Sequence, residues 1–242
     1  MELPLSGDPR TDVLRRLNPL LIQRFGRIER NDDYSRAPEW VLVQGVIGAR
    51  TKSEVSNAAT NQMLARWDSW EAVAAAPLEA LREVLATQTY PRTAAERLKA
   101  CLLALIELRG AVDLSHLAPM GTDEAMGWLE QLPGVGRKIA AGVLNASTLA
   151  RPVVVLDGHH TRILQRMGLV PPKASARRAY DSIAPTMPPE WSAAQFDEHH
   201  LLMKKVGQTY CRPGHTDCAN CPAQALCATG NRATGTARVA DR

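Results

Sequence analysis

Across 242 residues only one run, Val153-Val154-Val155-Leu156, has the composition of a β-strand, and one four-residue strand has nothing to pair with. It is read as a buried extended linker. The rest of the chain repeats its apolar residues at helical spacing. Val13, Leu14, Leu17, Leu21 and Phe25 form an early stripe. Val55, Ala59, Met63 and Trp67 recur every fourth residue, and Leu78, Leu81 and Leu85 nearly so. Further helices are predicted from about Thr93 to Leu108 with a stop at Gly110, from Thr122 or Asp123 to Leu132, and from Gly136 to Ala146. Three more should run from Gly158 to Met167, Ala174 to Ile183 and Ser192 to Tyr210, the last with Phe196, Met203 and Tyr210 on one face. Sparse aromatic residues (two Phe, four Tyr, five Trp) fit this helical bias. The fold class is all-α.

No apolar run approaches the ~18 residues that would suggest a membrane span. Met1 to Arg10 is polar and proline-broken, unlike a secretory leader, so a soluble intracellular protein is expected. The net charge of +4 is mildly basic and by itself decides nothing about partners. Ala228 to Arg242 has almost no large apolar residues and reads as a mobile tail.

The segment Leu132-Pro133-Gly134-Val135-Gly136-Arg137-Lys138 joins two predicted helices. Gly134 and Gly136 permit positive φ and close backbone approach, and Val135 between them can plug the hairpin into the core. The helix that follows begins with outward N–H groups, a site for a phosphate oxygen that positions DNA without reading its sequence. Lys138 falls on that helix's first turn. A cation is disfavoured at the positive end of a helix dipole, which favours loss of its proton and use as an amine nucleophile. Nineteen residues on, Asp157 precedes another helix. It makes a good N-cap there, and a carboxylate receiving backbone N–H bonds stays ionised, as stabilisation of a developing sugar cation requires.

The cysteines divide sharply. Cys101 sits in the apolar helical stretch Leu98–Leu105 and reads as a buried core thiol. The other four follow the pattern Cys211-x6-Cys218-x2-Cys221-x5-Cys227. In an intracellular chain such crowding points to metal before disulfides, and four thiolates suit either one zinc or a four-iron cluster.

Taken together, the hairpin with its lysine, the apolar run ending in Asp157, Arg162 on the next helix and the cysteine spacing resemble the helix-hairpin-helix DNA glycosylase superfamily. They are most similar to its endonuclease III-type members, over about residues 40 to 228. The resemblance implies a two-lobed fold: residues 32–150 as a six-helix barrel domain carrying the hairpin, residues 1–31 with 151–228 as an iron–sulfur domain, and 229–242 as the tail. It implies that Lys138 attacks the sugar C1′ with Asp157 assisting, and that Cys211, Cys218, Cys221 and Cys227 hold a [4Fe–4S] cluster. DNA contacts fall to Gly134, Val135, Gly136, Arg137 and His159, with Arg50 and the loop Gln88, Thr89 and Tyr90 filling the space left by a flipped base. The implied activity is base-excision repair: a glycosylase with AP lyase activity on double-stranded DNA containing a damaged base or abasic site. It would act as a monomer, away from membranes and without a diffusible cofactor, in the cytoplasm of a prokaryote or wherever the DNA lies. A glycosylase lacking lyase activity and a non-catalytic DNA-binding module are the rivals. Lys138 and Asp157 at matched positions speak against the second.

The chain departs from that pattern in places. The Lys138–Asp157 spacing is one residue longer than in typical endonuclease III. Arg50 stands where the family usually has Gln, and Gln88-Thr89-Tyr90 where it commonly has Gly-Leu-Tyr, which displaces the expected substrate range. Arg166 to Pro171 is similar to plant 5-methylcytosine glycosylases. His159 matches a family histidine whereas His160 does not. The pairs His159–His160 and His199–His200 read as core or surface side chains rather than ligands of a second metal.

Overall fold

In the computed structural model, described for residues 7–28 and 36–233, the elements are helices joined by short turns. No named strand occurs among the described residues; one isolated antiparallel bridge joins Cys211 to Thr216. The chain divides into two compact units, Asp32–Arg151 and Met1–Asn31 with Pro152–Arg242. The point where the chain first passes between units lies outside the described residues, as do 234–242 of the expected tail and the first six residues of the N-terminal segment.

The unit 32–151 holds α2 (Pro38–Ile47), α3 (Ser53–Trp67), α4 (Trp70–Ala75), α5 (Leu78–Val84), α6 (Pro91–Arg109), α7 (Thr122–Leu129) and α8 (Arg137–Ala146). That is seven α-helices among the described residues. Central in its packing is α2, which meets α3, α6 and α8. Periodicity does not reveal it because Trp40, Val41, Leu42, Val43, Val46 and Ile47 are all buried, so the helix has no polar face to set against an apolar one. It approaches α8 closely enough that a Cβ at Gly45 would stand 2.9 Å from Ile139 Cγ2, so a side chain there would force Ile139 to shift. Ile139, the residue after Lys138, is thus packed against α2. Carboxylates secure the loop beyond α6: Glu71 accepts from Val112 N at 2.8 Å and Glu39 from Leu114 N at 2.7 Å.

The other unit holds α1 (Pro9–Phe25), α9 (Gly158–Met167), α10 (Ala176–Ile183), α11 (Ala193–Thr209) and α12 (Ala228–Ala233). Here α11 packs on α1 and α9, with Phe196, Met203 and Tyr210 buried as their spacing predicts. Val153 to Leu156 lies outside any helix or strand and is buried throughout. The expected tail needs correcting at its start, since residues 228–233 form α12 against α9. Its anchors are small and polar: Gly230 is buried, and Thr229 Oγ1 donates to Arg166 O at 2.7 Å, so docking leaves no large apolar signature. No helix among the described residues is long and apolar enough to cross a membrane.

Candidate active site

The hairpin between α7 and α8 is built as its glycines suggest, with one amendment. Gly134 has φ +79°, the left-handed region, and packs on the Arg97 side chain. Gly136 is extended at φ −105° and serves as the N-cap of α8, so positive φ is required at one glycine, not two. Nothing lies within 4 Å of where a Gly136 Cβ would be. Val135 is buried, plugging the turn. No side-chain cap covers the N-terminus of α8, and its first turn carries no acid. Lys138 lies exposed on that turn. Arg137 forms an ion pair with Glu130 at 3.0 Å, both largely buried, which ties the end of α7 to the start of α8.

In the same unit two loops far apart in sequence are bonded together. Thr89 Oγ1 donates to Arg50 O at 2.9 Å, Thr89 N donates to Thr51 Oγ1 at 3.1 Å, and Arg50 Nη1 donates to Tyr90 OH at 3.4 Å. Arg50 adopts φ +55°, unusual for a side chain of its size, and is exposed beside Tyr90. Gln88 does not share this surface. It is buried, and its amide donates to Val55 O at 3.4 Å. The expectation that it fills a vacated base position is corrected by its burial, whereas Arg50, Thr89 and Tyr90 are exposed.

Asp157 belongs to the other unit. It is the N-cap of α9, and its Oδ1 accepts from His160 N at 2.8 Å. Burial opposes its ionisation, but the charge of His200, the His160 N–H and the charges of the neighbouring histidines outweigh burial and hold the carboxyl below its ordinary value. His160 is fully buried, which pushes its ring down to about 4, with His200 adding to the shift. The ring is thus neutral at pH 7, and His160 serves Asp157 there through its backbone N–H.

The four clustered cysteines line one cavity, whose apolar walls include Ile163, Met167, Val206 and Tyr210. Among the described residues no three His, Cys, Asp or Glu side chains form a group that could hold a metal ion. Burial pushes the Cys221 thiol up to about 11 and raises that of Cys227. Two arginines on one face of α9 secure the loop. Arg166 Nη1 donates to Cys211 Sγ at 3.0 Å and to Arg212 O at 2.8 Å, and Nη2 to Pro213 O at 3.1 Å. Arg162 Nε donates to Cys211 O at 2.9 Å, while its Nη2 lies 3.0 Å from His159 Nδ1. A guanidinium can only donate, so His159 Nδ1 is the acceptor. His159 is thereby joined to the cysteine loop. Arg166 carries no motif signal of its own, but its spacing of four from Arg162 places both on one helical face. Cys101, by contrast, is fully buried and its thiol is pushed up to about 12, an inert core position.

Residues 43–187 match the family described as HhH-GPD superfamily base excision DNA repair protein. That span includes the hairpin, Lys138 and Asp157 but ends before Cys211, Cys218, Cys221 and Cys227. Endonuclease III of Bacillus subtilis is 27% identical over 196 residues, covering 81% of this chain and 83% of its own. DEMETER-like protein 2 of Arabidopsis thaliana is 25% identical over 186 residues, 71% of this chain but 14% of that larger protein. The solved structure of a non-covalent endonuclease III–DNA complex superposes with a TM-score of 0.72 at 22% identity, covering 93% of this chain and 98% of the other, which supports the fold. The chain belongs to the HhH-GPD superfamily of base excision DNA repair proteins, as a DNA glycosylase of that superfamily.

Proposed function

We propose that the chain is a bifunctional enzyme that excises damaged pyrimidine bases from duplex DNA and then cleaves the abasic strand, with Lys138 as nucleophile and Asp157 as the stabilising carboxylate. The observation that carries this is Lys138, exposed on the uncapped first turn of α8 immediately after the hairpin. The backbone at Gly136, with open space where a side chain would be, suits close approach of a phosphate. A target nucleotide turned out of the stack exposes its C1′. As the base departs with the electrons of the glycosidic bond, the ionised Asp157 stabilises the positive charge growing on the sugar. The neutral amine of Lys138 bonds to C1′ and the sugar ring opens to a Schiff base. Loss of a C2′ proton then expels the 3′ phosphate by β-elimination.

The four cysteines suit a [4Fe–4S] cluster as resident group. Burial disfavours bare thiolates at Cys221 and Cys227, and a cationic metal core offsets that cost. Four thiols lining one cavity are the ligand set that a four-iron core takes. Bound there, the cluster would close the 211–227 loop through its iron–thiolate bonds. Arg50 offers an orphaned base donors only, which suits the acceptors of guanine better than the donor amine of adenine, so lesions opposite guanine are the preferred substrates.

The test is borohydride trapping on an abasic duplex. The parent should form a covalent adduct, and Lys138→Ala should lose it while still binding DNA. A mutant that traps as well as the parent places the nucleophile elsewhere. Asp157→Asn should slow base removal far more than cleavage of a preformed abasic site; equal loss in both would reduce Asp157 to a helix cap.

A further inference from the structure

Behind Asp157 stands a stack of buried imidazoles that packing alone does not explain. His160 and His199 are both fully buried, and the Nε2 of each is without a hydrogen bond. Buried polar atoms left unpaired are costly, so an apolar side chain would serve these positions better if only volume mattered. What each ring gains is on its other nitrogen. His160 Nδ1 lies 3.2 Å from Val155 O and His199 Nδ1 lies 3.0 Å from Asn18 Oδ1. A carbonyl oxygen only accepts, so His160 is the tautomer with its proton on Nδ1.

From these contacts we infer that His160 is a positioning residue for Asp157, holding the carboxylate in the orientation that base departure requires. The inference rests on the reading of Asp157 given above. His160 grips the turn at both ends: its ring donates to Val155, two residues before Asp157, and its backbone N–H donates to Asp157 Oδ1 at 2.8 Å. Oδ2 is left as the oxygen not engaged by the cap. The ring is in turn held from behind. His199 meets it edge-on with ring centroids 5.1 Å apart, and the Trp191 ring lies at the same distance from His199. Asn18 on α1 sets the orientation of His199. The turn carrying Asp157 is thereby braced from α1 and α11, elements far from it in sequence. A carboxylate that acts by electrostatics works in proportion to how firmly it is oriented beforehand.

Two variants separate the hydrogen bond from the ring. His160→Phe keeps a planar ring against His199 but cannot donate to Val155. His160→Asn loses the ring but carries an amide that can donate from nearly the same place. The expected result for His160→Phe is a thermal midpoint close to the parent, unchanged affinity for a lesion duplex and unchanged cleavage of a preformed abasic site, with single-turnover base excision slowed about tenfold. His160→Asn should recover most of that rate even if its midpoint is lower. If His160→Phe excises at the parent rate, or if excision simply follows the thermal midpoint across both variants, His160 is a packing residue and the proposal is overturned. Asp157→Asn is measured alongside. Excision at the parent rate there would overturn the reading of Asp157 itself, whatever the His160 variants do.

Discussion

Gly207 offers a test in which the structure reverses the sign expected from the sequence. The residue lies inside α11, where a mid-helix glycine ordinarily costs about 0.5–1 kcal/mol relative to alanine. On propensity alone Gly207→Ala should stabilise. A Cβ at this position, however, would stand 2.6 Å from the Cβ of His159, 2.6 Å from its Nδ1 and 2.9 Å from its Cγ. His159 cannot turn aside, because one atom struck is its own Cβ, placed by the backbone of α9. Its Nδ1 also accepts from Arg162, whose guanidinium reaches Cys211 O at 2.9 Å and Gly207 O at 3.2 Å. Relief requires α9 and α11 to part locally, and forcing a methyl group into such a contact costs about 1–3 kcal/mol. Setting the propensity gain against this leaves a net loss of up to about 2.5 kcal/mol. At about 2–4 °C per kcal/mol for a chain of this size, the thermal midpoint should fall by several degrees. Gly127→Ala in α7 is the matched control, since nothing lies within 4 Å of its Cβ position. It should raise the midpoint, by up to about 2–4 °C. A rise in Gly207→Ala equal to that of the control would refute the close-packing argument.

Three further outcomes are expected. Cys218→Ser should lose iron and yield less folded protein, whereas Cys101→Ser should keep its iron; a parent purified with one zinc and no iron would remove the cluster from the picture. Arg50→Gln should move the opposite-base preference from guanine toward adenine in a panel of lesion duplexes, and an unchanged profile would mean that Arg50 does not read the orphaned base. Burial and His200 hold His160 down to about 4 from an ordinary 6.5, and burial holds His199 well down, so the unfolded chain takes up protons in that window that the folded chain refuses. Stability should therefore fall as pH drops through the window, and His160→Phe should flatten the slope of urea midpoints against pH.

What could be read from the sequence was what is local. Gly134, Val135 and Lys138 lie within one turn of chain, and Asp157 is separated from its cap partner by three residues, so composition and spacing carry them directly. Helices with one wet face were likewise legible, whereas α2, buried on every side, offered no contrast for periodicity to detect. Pairings across the chain could not be read in that way. Gln88 and Tyr90 look equivalent as neighbours in a polar loop, yet one is buried and the other exposed, because Thr89 between them is bonded to a loop some forty residues earlier. His160 has no counterpart in the family motif, and its surroundings exist only in the fold, where His199 stands against it and Asn18 is bonded to His199. Arg162 and Arg166 carry the same lesson into the chemistry. Their spacing shows only that they share a face; what makes them matter is that the face meets Cys211, so a loop remote in sequence from Asp157 is bonded to the helix that Asp157 begins. Damage to that loop should therefore be felt at the first turn of α9 even with every residue of the turn intact.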